Sequence, residues 1–151
     1  VRYVGYVAEG WGVGELVFDG ETLVHSAAPS ASNRLLLGED RLGERLRAYF
    51  AGTRDDFLDV ELDLDGYTPF QRALCEALRW VPLGETVTYG ELAALAGRPN
   101  APRAAGSFCA ENRFAIVVPC HRVVAASGIG SYGATGVEYK RRLLELEGAA
   151  V

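Results

Sequence analysis

Thr88-Tyr89-Gly90-Glu91-Leu92-Ala93-Ala94-Leu95-Ala96-Gly97-Arg98-Pro99-Asn100-Ala101-Pro102-Arg103-Ala104-Ala105-Gly106-Ser107 reads as two short helices joined by a tight turn. Thr88 has the side chain to cap a helix over 89–96, with Leu92 and Leu95 expected to face inward. Gly97 through Pro102 then make a turn into a second helix over 101–110, a helix-turn-helix pattern. That second helix carries unusually small side chains. Composition favours tight helix packing as the reason; close approach of this helix backbone to a ligand is the other reading.

Working outward, Thr68 can cap a helix that has Pro69 at its first position and an apolar face of Phe70, Leu74, Ala77, Leu78 and Val81, broken by Pro82 and Gly84. Further upstream, 57–64 alternates strictly and predicts an extended strand or linker, and Leu42, Leu46, Tyr49 and Phe50 predict a helix over 40–50. The first 25 residues alternate in short bursts, with Asp19-Gly20 as a hairpin turn, and predict an antiparallel meander. Downstream, 115–118 predicts a buried strand that runs into Pro119-Cys120-His121-Arg122-Val123, followed by a glycine-rich loop over 127–136 and a helix over 137–146. The class is α+β, and the change of character near Gly66 divides the chain into an N-terminal sheet-plus-helix domain over 1–66 and a helical domain over 67–151.

A chain of 151 residues that is 49% hydrophobic and 23% charged can bury a core, which excludes disordered and collagen-like classes. Its longest apolar run falls far short of a membrane span and the N-terminal stretch has no signal-peptide pattern, so a soluble cytoplasmic protein is expected. Three cysteines, Cys75, Cys109 and Cys120, form no even set and no close pair, which points away from a secreted disulfide framework. The net charge of −5 is unevenly spread: 1–66 has 6 basic and 13 acidic residues, whereas 67–151 has 9 and 7. A polyanion should therefore meet the second half, where Arg98, Arg103, Arg113 and Arg122 face only Glu111.

Cys120 most invites chemistry, because it follows a proline at the end of an apolar segment and is followed by His121. A thiol with an ordinary pKa of about 8.5 is mostly protonated at neutral pH, and an adjacent base or a positive field converts it to the nucleophilic thiolate. An isolated Cys-His pair is more often a small buried hydrophobe beside a hydrogen-bonded structural histidine. Cys75 and Cys109 fit that packing role outright, and no ligand pair with zinc spacing is present, so no metal is expected.

Ile116-Val117-Val118-Pro119-Cys120-His121-Arg122-Val123-Val124 resembles the active-site motif of the O6-alkylguanine-DNA alkyltransferases. The resemblance runs from about 68 to 148 and includes Phe70-Gln71, the 82–89 stretch, Arg103-Ala104-Ala105-Gly106, Asn112, Lys140 and the segment 143–148. It implies a small ribonuclease-H-like sheet domain followed by a helical, winged-helix-like domain. The implied activity is irreversible, single-turnover transfer of an alkyl group from O6-alkylguanine, and from O4-alkylthymine, to Cys120, without a cofactor.

Carried over residue by residue, His121 is linked through water to Cys120 and on to Glu147, Tyr89 gives a proton to guanine N3, and Asn112 holds the turn under the active-site strand. Val123, Tyr132, Ser127 and Lys140 belong to the base pocket. The implied partner is double-stranded DNA, entered by a monomer from the minor groove with the damaged base flipped out, and Arg103 takes the vacated place in the stack. Ala101, Pro102, Ala104 and Gly106, with Tyr89, then face the groove, which reverses the packing reading of the small helix. Two positions depart from the family: Pro102 precedes the finger, so the helix can begin there, and Tyr132 sits one place nearer the cysteine than the pocket-loop aromatic usually does. Two other readings compete, a non-catalytic lesion-binding relative, in which the acceptor cysteine is replaced, and a winged-helix regulator of transcription-factor type. A cysteine hydrolase is weaker, because no separate oxyanion motif is apparent.

Overall fold

Val4, Tyr6 and Ala8 are buried at every second position of β1 (Arg2–Ala8), the period of a strand with one face against a core. β1 pairs antiparallel with β2 (Gly12–Asp19), which places Gly14 opposite Tyr6; a side chain at Gly14 would run into the Tyr6 ring. Gly20, at φ 61, turns the chain into β3 (Thr22–Ser30), giving a three-stranded antiparallel sheet in the order β1-β2-β3. The computed structural model describes residues 1–34 and 38–150; Val151, the last residue of the expected second domain, lies outside the described residues.

α1 (Arg41–Phe50) packs on β1 with Leu42, Leu46, Tyr49 and Phe50 buried. Asp40 caps it, its carboxylate accepting from the backbone N–H groups of Leu42 and Gly43 at 2.8 and 3.4 Å. From α1, Arg45 holds both Asp55 and Asp59 of the following segment through paired guanidinium hydrogen bonds. The alternating stretch 57–64 is a linker rather than a strand. Phe57 has φ 55 and is buried against Tyr49, and an isolated parallel bridge, Leu23 with Leu62, ties the stretch to β3.

The chain divides into two compact units, Val1–Asp63 with Arg113–Val117, and Leu64–Asn112 with Val118–Val151. The first unit thus takes in a second segment of the chain. Arg113–Val117 returns to the first unit, where Ser26 donates its N–H to Arg113 O and accepts from the Ala115 N–H on its own carbonyl. The buried strand expected over 115–118 does not form, because Ile116 takes φ 74 and turns the chain. Ile116, Val117 and Val118 are buried nonetheless. A short apolar run reports burial, and burial alone does not make a strand.

In the second unit, α2 (Pro69–Arg79) starts in a capping box: Thr68 Oγ1 accepts from the Gln71 N–H and Gln71 Oε1 accepts from the Thr68 N–H. We expect Thr68→Ala to lower stability by about 1 kcal/mol, read as a lower urea midpoint at unchanged slope. After a two-residue strand, β4 (Val87–Thr88), Thr88 and Glu91 form a second capping box at α3 (Tyr89–Leu95). Leu92 is buried as expected, but Leu95 is 63% exposed. Ala93 takes the inward place beside Leu92, and two residues further along a helix is about 200° of rotation, so Leu95 points away.

The second helix of the pair, α4 (Pro102–Ala110), begins at the proline. β5 (Val123–Val124) pairs parallel with β4, and α5 (Val137–Leu146) ends the fold. The architecture is a mixed α and β fold with a small antiparallel three-stranded sheet and separate helices. No described helix is long and apolar enough to cross a membrane.

Candidate active site

Cys120 opens a single 3-10 turn, Cys120–Arg122, directly after Pro119. Adjacent residues on a strand would point to opposite faces, whereas the turn lets Cys120, His121 and Arg122 all be buried in one region. Asn112 fixes the entrance to this turn, its side-chain amide donating to Val118 O at 2.9 Å and to Cys120 Sγ at 3.2 Å. Burial pushes the Cys120 thiol above its ordinary range; hydrogen bonds from Asn112 and Tyr132 and the charge of Lys140 act in the opposite sense and favour the thiolate.

His121 is fully buried and its Nε2 meets Glu147 Oε2 at 2.7 Å. Glu147 is delivered by the C-terminal end of α5, where it is the capping residue. Arg122 grips the same carboxylate with two hydrogen bonds, Nε to Oε1 at 2.8 Å and Nη2 to Oε2 at 3.0 Å, and donates a third from Nη1 to Val81 O at 2.7 Å. Burial opposes ionisation of Glu147, but the hydrogen bonds and charges of His121 and Arg122 outweigh it and hold the carboxyl below the usual range. Burial lowers the His121 pKa, and Arg122 and Lys140 add to that effect against the pull of Glu147. The other ring nitrogen, Nδ1, is buried with no hydrogen-bond partner among the described residues.

Lys140, on α5, is buried and donates to Val123 O at 2.6 Å and Ser131 O at 3.0 Å, so one ammonium holds both ends of the 123–131 segment. Its Nζ lies 5.9 Å from the centroid of the Tyr89 ring. Tyr89, the first residue of α3, is half-buried with its hydroxyl hydrogen-bonded to Ser131, and burial raises its pKa. Gly130, at φ 78, suits the loop here: a Cβ would meet the Ala125 backbone nitrogen at 3.1 Å, whereas Lys140 Nζ and the Tyr89 hydroxyl would lie at ordinary contact distance. Tyr132 stacks on Tyr139 at 6.2 Å.

The structure therefore brings together Cys120, His121, Glu147, Asn112, Tyr89, Tyr132, Lys140 and Val123. Ser127 instead lies exposed in the turn closed by the Gly128 N–H on Ala125 O, and the loop serine at Tyr89 is Ser131. On α4, Pro102, Arg103 and Ala104 are exposed, Ala101 and Gly106 are half-buried, and Arg103 has no hydrogen-bond or ion-pair partner among the described residues. Sequence reasoning placed Arg122 only in a surface patch; its burial was signalled by its place inside the motif, between His121 and Val123. Among the described residues no three His, Cys, Asp or Glu side chains are grouped to hold a metal.

A buried thiol is thus followed directly by a histidine paired with a carboxylate, in the unit that also holds the two short helices α3 and α4. Residues 69–149 match the family model for the 6-O-methylguanine DNA methyltransferase DNA-binding domain. The methylated-DNA–protein-cysteine methyltransferase of Mycobacterium tuberculosis (strain ATCC 25618 / H37Rv) is 52% identical over 105 residues, 69% of this chain and 62% of that protein. The corresponding protein of Methanosarcina acetivorans is 48% identical over 105 residues, 70% of this chain and 66% of its own length. Among solved structures, the Mycobacterium tuberculosis OGT in complex with DNA superposes with a TM-score of 0.78 at 39% identity, covering 98% of this chain and 93% of that one. The chain belongs to the 6-O-methylguanine-DNA methyltransferase family. Its matched stretch spans less than two thirds of the length of the curated mycobacterial relatives.

Proposed function

We propose that the protein repairs DNA by direct reversal, moving an alkyl group from guanine O6, and from thymine O4, irreversibly onto Cys120. The observation that carries this reading is the buried Cys120 thiol, hydrogen-bonded by Asn112 on one side and adjoining the His121–Glu147 pair on the other. In the step itself a water relays the thiol proton to His121 Nδ1, which has no hydrogen-bond partner among the described residues, while Glu147 on Nε2 stabilises the imidazolium. The thiolate attacks the alkyl carbon, an S–C bond forms as the C–O bond breaks, and the electron pair leaves with the purine. Tyr89 donates a proton to guanine N3 so that the base departs neutral. The thioether has no leaving group comparable to guanine, so each molecule turns over once.

The rest of the reading concerns access. The first domain, over 1–66, is ribonuclease-H-like, and the second, over 67–151, is winged-helix-like. A monomer working in the cytoplasm binds the minor groove of double-stranded DNA with α4, whose exposed Pro102, Arg103 and Ala104 and small Ala101 and Gly106 suit a close approach. The damaged base flips into the pocket made by Tyr89, Val123, Tyr132, Ser131 and Lys140.

Incubation with duplex DNA containing O6-methylguanine, followed by intact-mass measurement and peptide mapping, tests the reading. The mass should rise by one methyl group carried on the Cys120 peptide. Lesion binding without any change of mass would replace it with a non-catalytic lesion-binding role. Tyr89→Phe should slow transfer by about 10- to 100-fold with little loss of lesion affinity, because the hydroxyl acts as guanine departs. An equally fast variant removes Tyr89 from the mechanism.

A further inference from the structure

A histidine next to a bare buried carboxylate behaves differently from one next to a carboxylate already paired. The bare carboxylate draws a proton onto the ring and keeps it there. Here Glu147 is paired. Arg122 takes both of its oxygens, and Oε2 is shared between Arg122 Nη2 at 3.0 Å and His121 Nε2 at 2.7 Å. The third hydrogen bond, to Val81 O, anchors the guanidinium on the segment that follows α2, so the fork cannot swing away. His121, Glu147 and Arg122 are all buried; among the described residues the other charge acting on the ring is Lys140 on α5, and Cys120 precedes His121 on the same turn.

We propose that Arg122 is a positioning residue for alkyl transfer: it fixes Glu147 and supplies its counter-charge, so that His121 rests as a neutral base able to accept the Cys120 proton. The inference rests on the alkyl-transfer reading given above. With Arg122 in place, the resting site of thiol and neutral imidazole and the active site of thiolate and imidazolium hold the same number of protons. Activation is then an internal proton transfer, and its yield is independent of pH above the titration of His121. Without Arg122, the His121–Glu147 pair takes up one more proton at rest. The thiol proton must then leave to solvent, and the reaction needs higher pH. The lowered His121 pKa, to which Arg122 and Lys140 both contribute, is of the sign this role requires.

The test compares the whole chain with Arg122→Met, Arg122→Lys, Glu147→Gln and the Arg122→Met/Glu147→Gln double variant. One readout is the pH profile of Cys120 alkylation by free O6-benzylguanine, followed by mass. The other is the NMR titration of the His121 ring, which needs no turnover. In Arg122→Met the acid limb and the His121 midpoint should move up by about one to three pH units. Arg122→Lys, which keeps the charge, should restore most of that shift, and the double variant, which removes both charges, should return the midpoint toward wild type even if transfer is slow. Where Arg122→Met does not fold, Glu147→Gln should lower the midpoint, and the double variant should raise it again. A uniform loss of rate with unmoved limb and midpoint, or equal midpoints in Glu147→Gln and the double variant, overturns the proposal. If the wild type does not alkylate at all, the alkyl-transfer reading fails, and the NMR titration still decides the role of Arg122.

Discussion

Cys120→Ala is expected to abolish alkyl transfer completely while leaving the fold and lesion binding in place. The thiol is the atom that Asn112 hydrogen-bonds and that lies beside the His121–Glu147 pair, and neither remaining cysteine has comparable surroundings. Cys75 is buried on α2 among Leu74 and Leu78. Cys109, on α4, has its thiol pushed far up by burial and by the nearby Cys120 sulfur, so it stays protonated and poorly nucleophilic at neutral pH. The structural cost is small. A methyl group replaces a small buried thiol at about 1 kcal/mol, and Asn112 keeps its second acceptor on Val118 O. The check is intact mass after prolonged incubation with duplex O6-methylguanine DNA, beside a binding titration on the same DNA. Alkylation that persists on the Cys75 or Cys109 peptide refutes Cys120 as acceptor.

The elements that local chemistry specifies were legible in the sequence. Thr68 with Gln71 and Thr88 with Glu91 each hold cap donor and partner three residues apart, so both capping boxes start where the side chains say. Gly20 and the alternating bursts around it determine the hairpin in the same way. What failed depends on the tertiary environment. The apolar run 115–118 is as buried as a strand, yet Ile116 at φ 74 turns it, and no pattern of residue types announces a β-branched residue in that region. Leu95 matched helical spacing on a helix too short for spacing to choose a face. At the site, Cys120, His121 and Glu147 were readable through a motif, but the bond between His121 and Glu147 spans 26 positions of chain. Arg122 was misread because an arginine's default place is the surface, and only the arrival of Glu147 and Val81 O makes a buried guanidinium tolerable. Ser131 was hidden for a related reason: in a glycine-rich loop, position along the chain says little about which serine reaches Tyr89.

Arg103→Ala should separate base flipping from plain electrostatic binding, and its expected effect depends on the substrate. The side chain is exposed near the start of α4 and has no hydrogen-bond or ion-pair partner to lose among the described residues, so its removal should leave stability within about 0.5 kcal/mol of wild type. An arginine that only touches phosphate would, on truncation, weaken binding to all DNA alike and reduce the salt dependence by about one counterion. A side chain that fills the gap left by the flipped base lowers the free energy of the extruded state, which costs a few kcal/mol to reach. Losing about 2–3 kcal/mol of that support slows repair in duplex DNA by roughly 30- to 150-fold. Free O6-benzylguanine needs no flipping, so its rate should change less than about twofold, leaving Cys120, His121 and Tyr89 working as before. The measurement is the ratio of the two second-order rate constants, duplex over free base, in variant and wild type. A ratio that falls more than tenfold places Arg103 in the stack, and equal slowing on both substrates assigns it to the pocket or the fold instead.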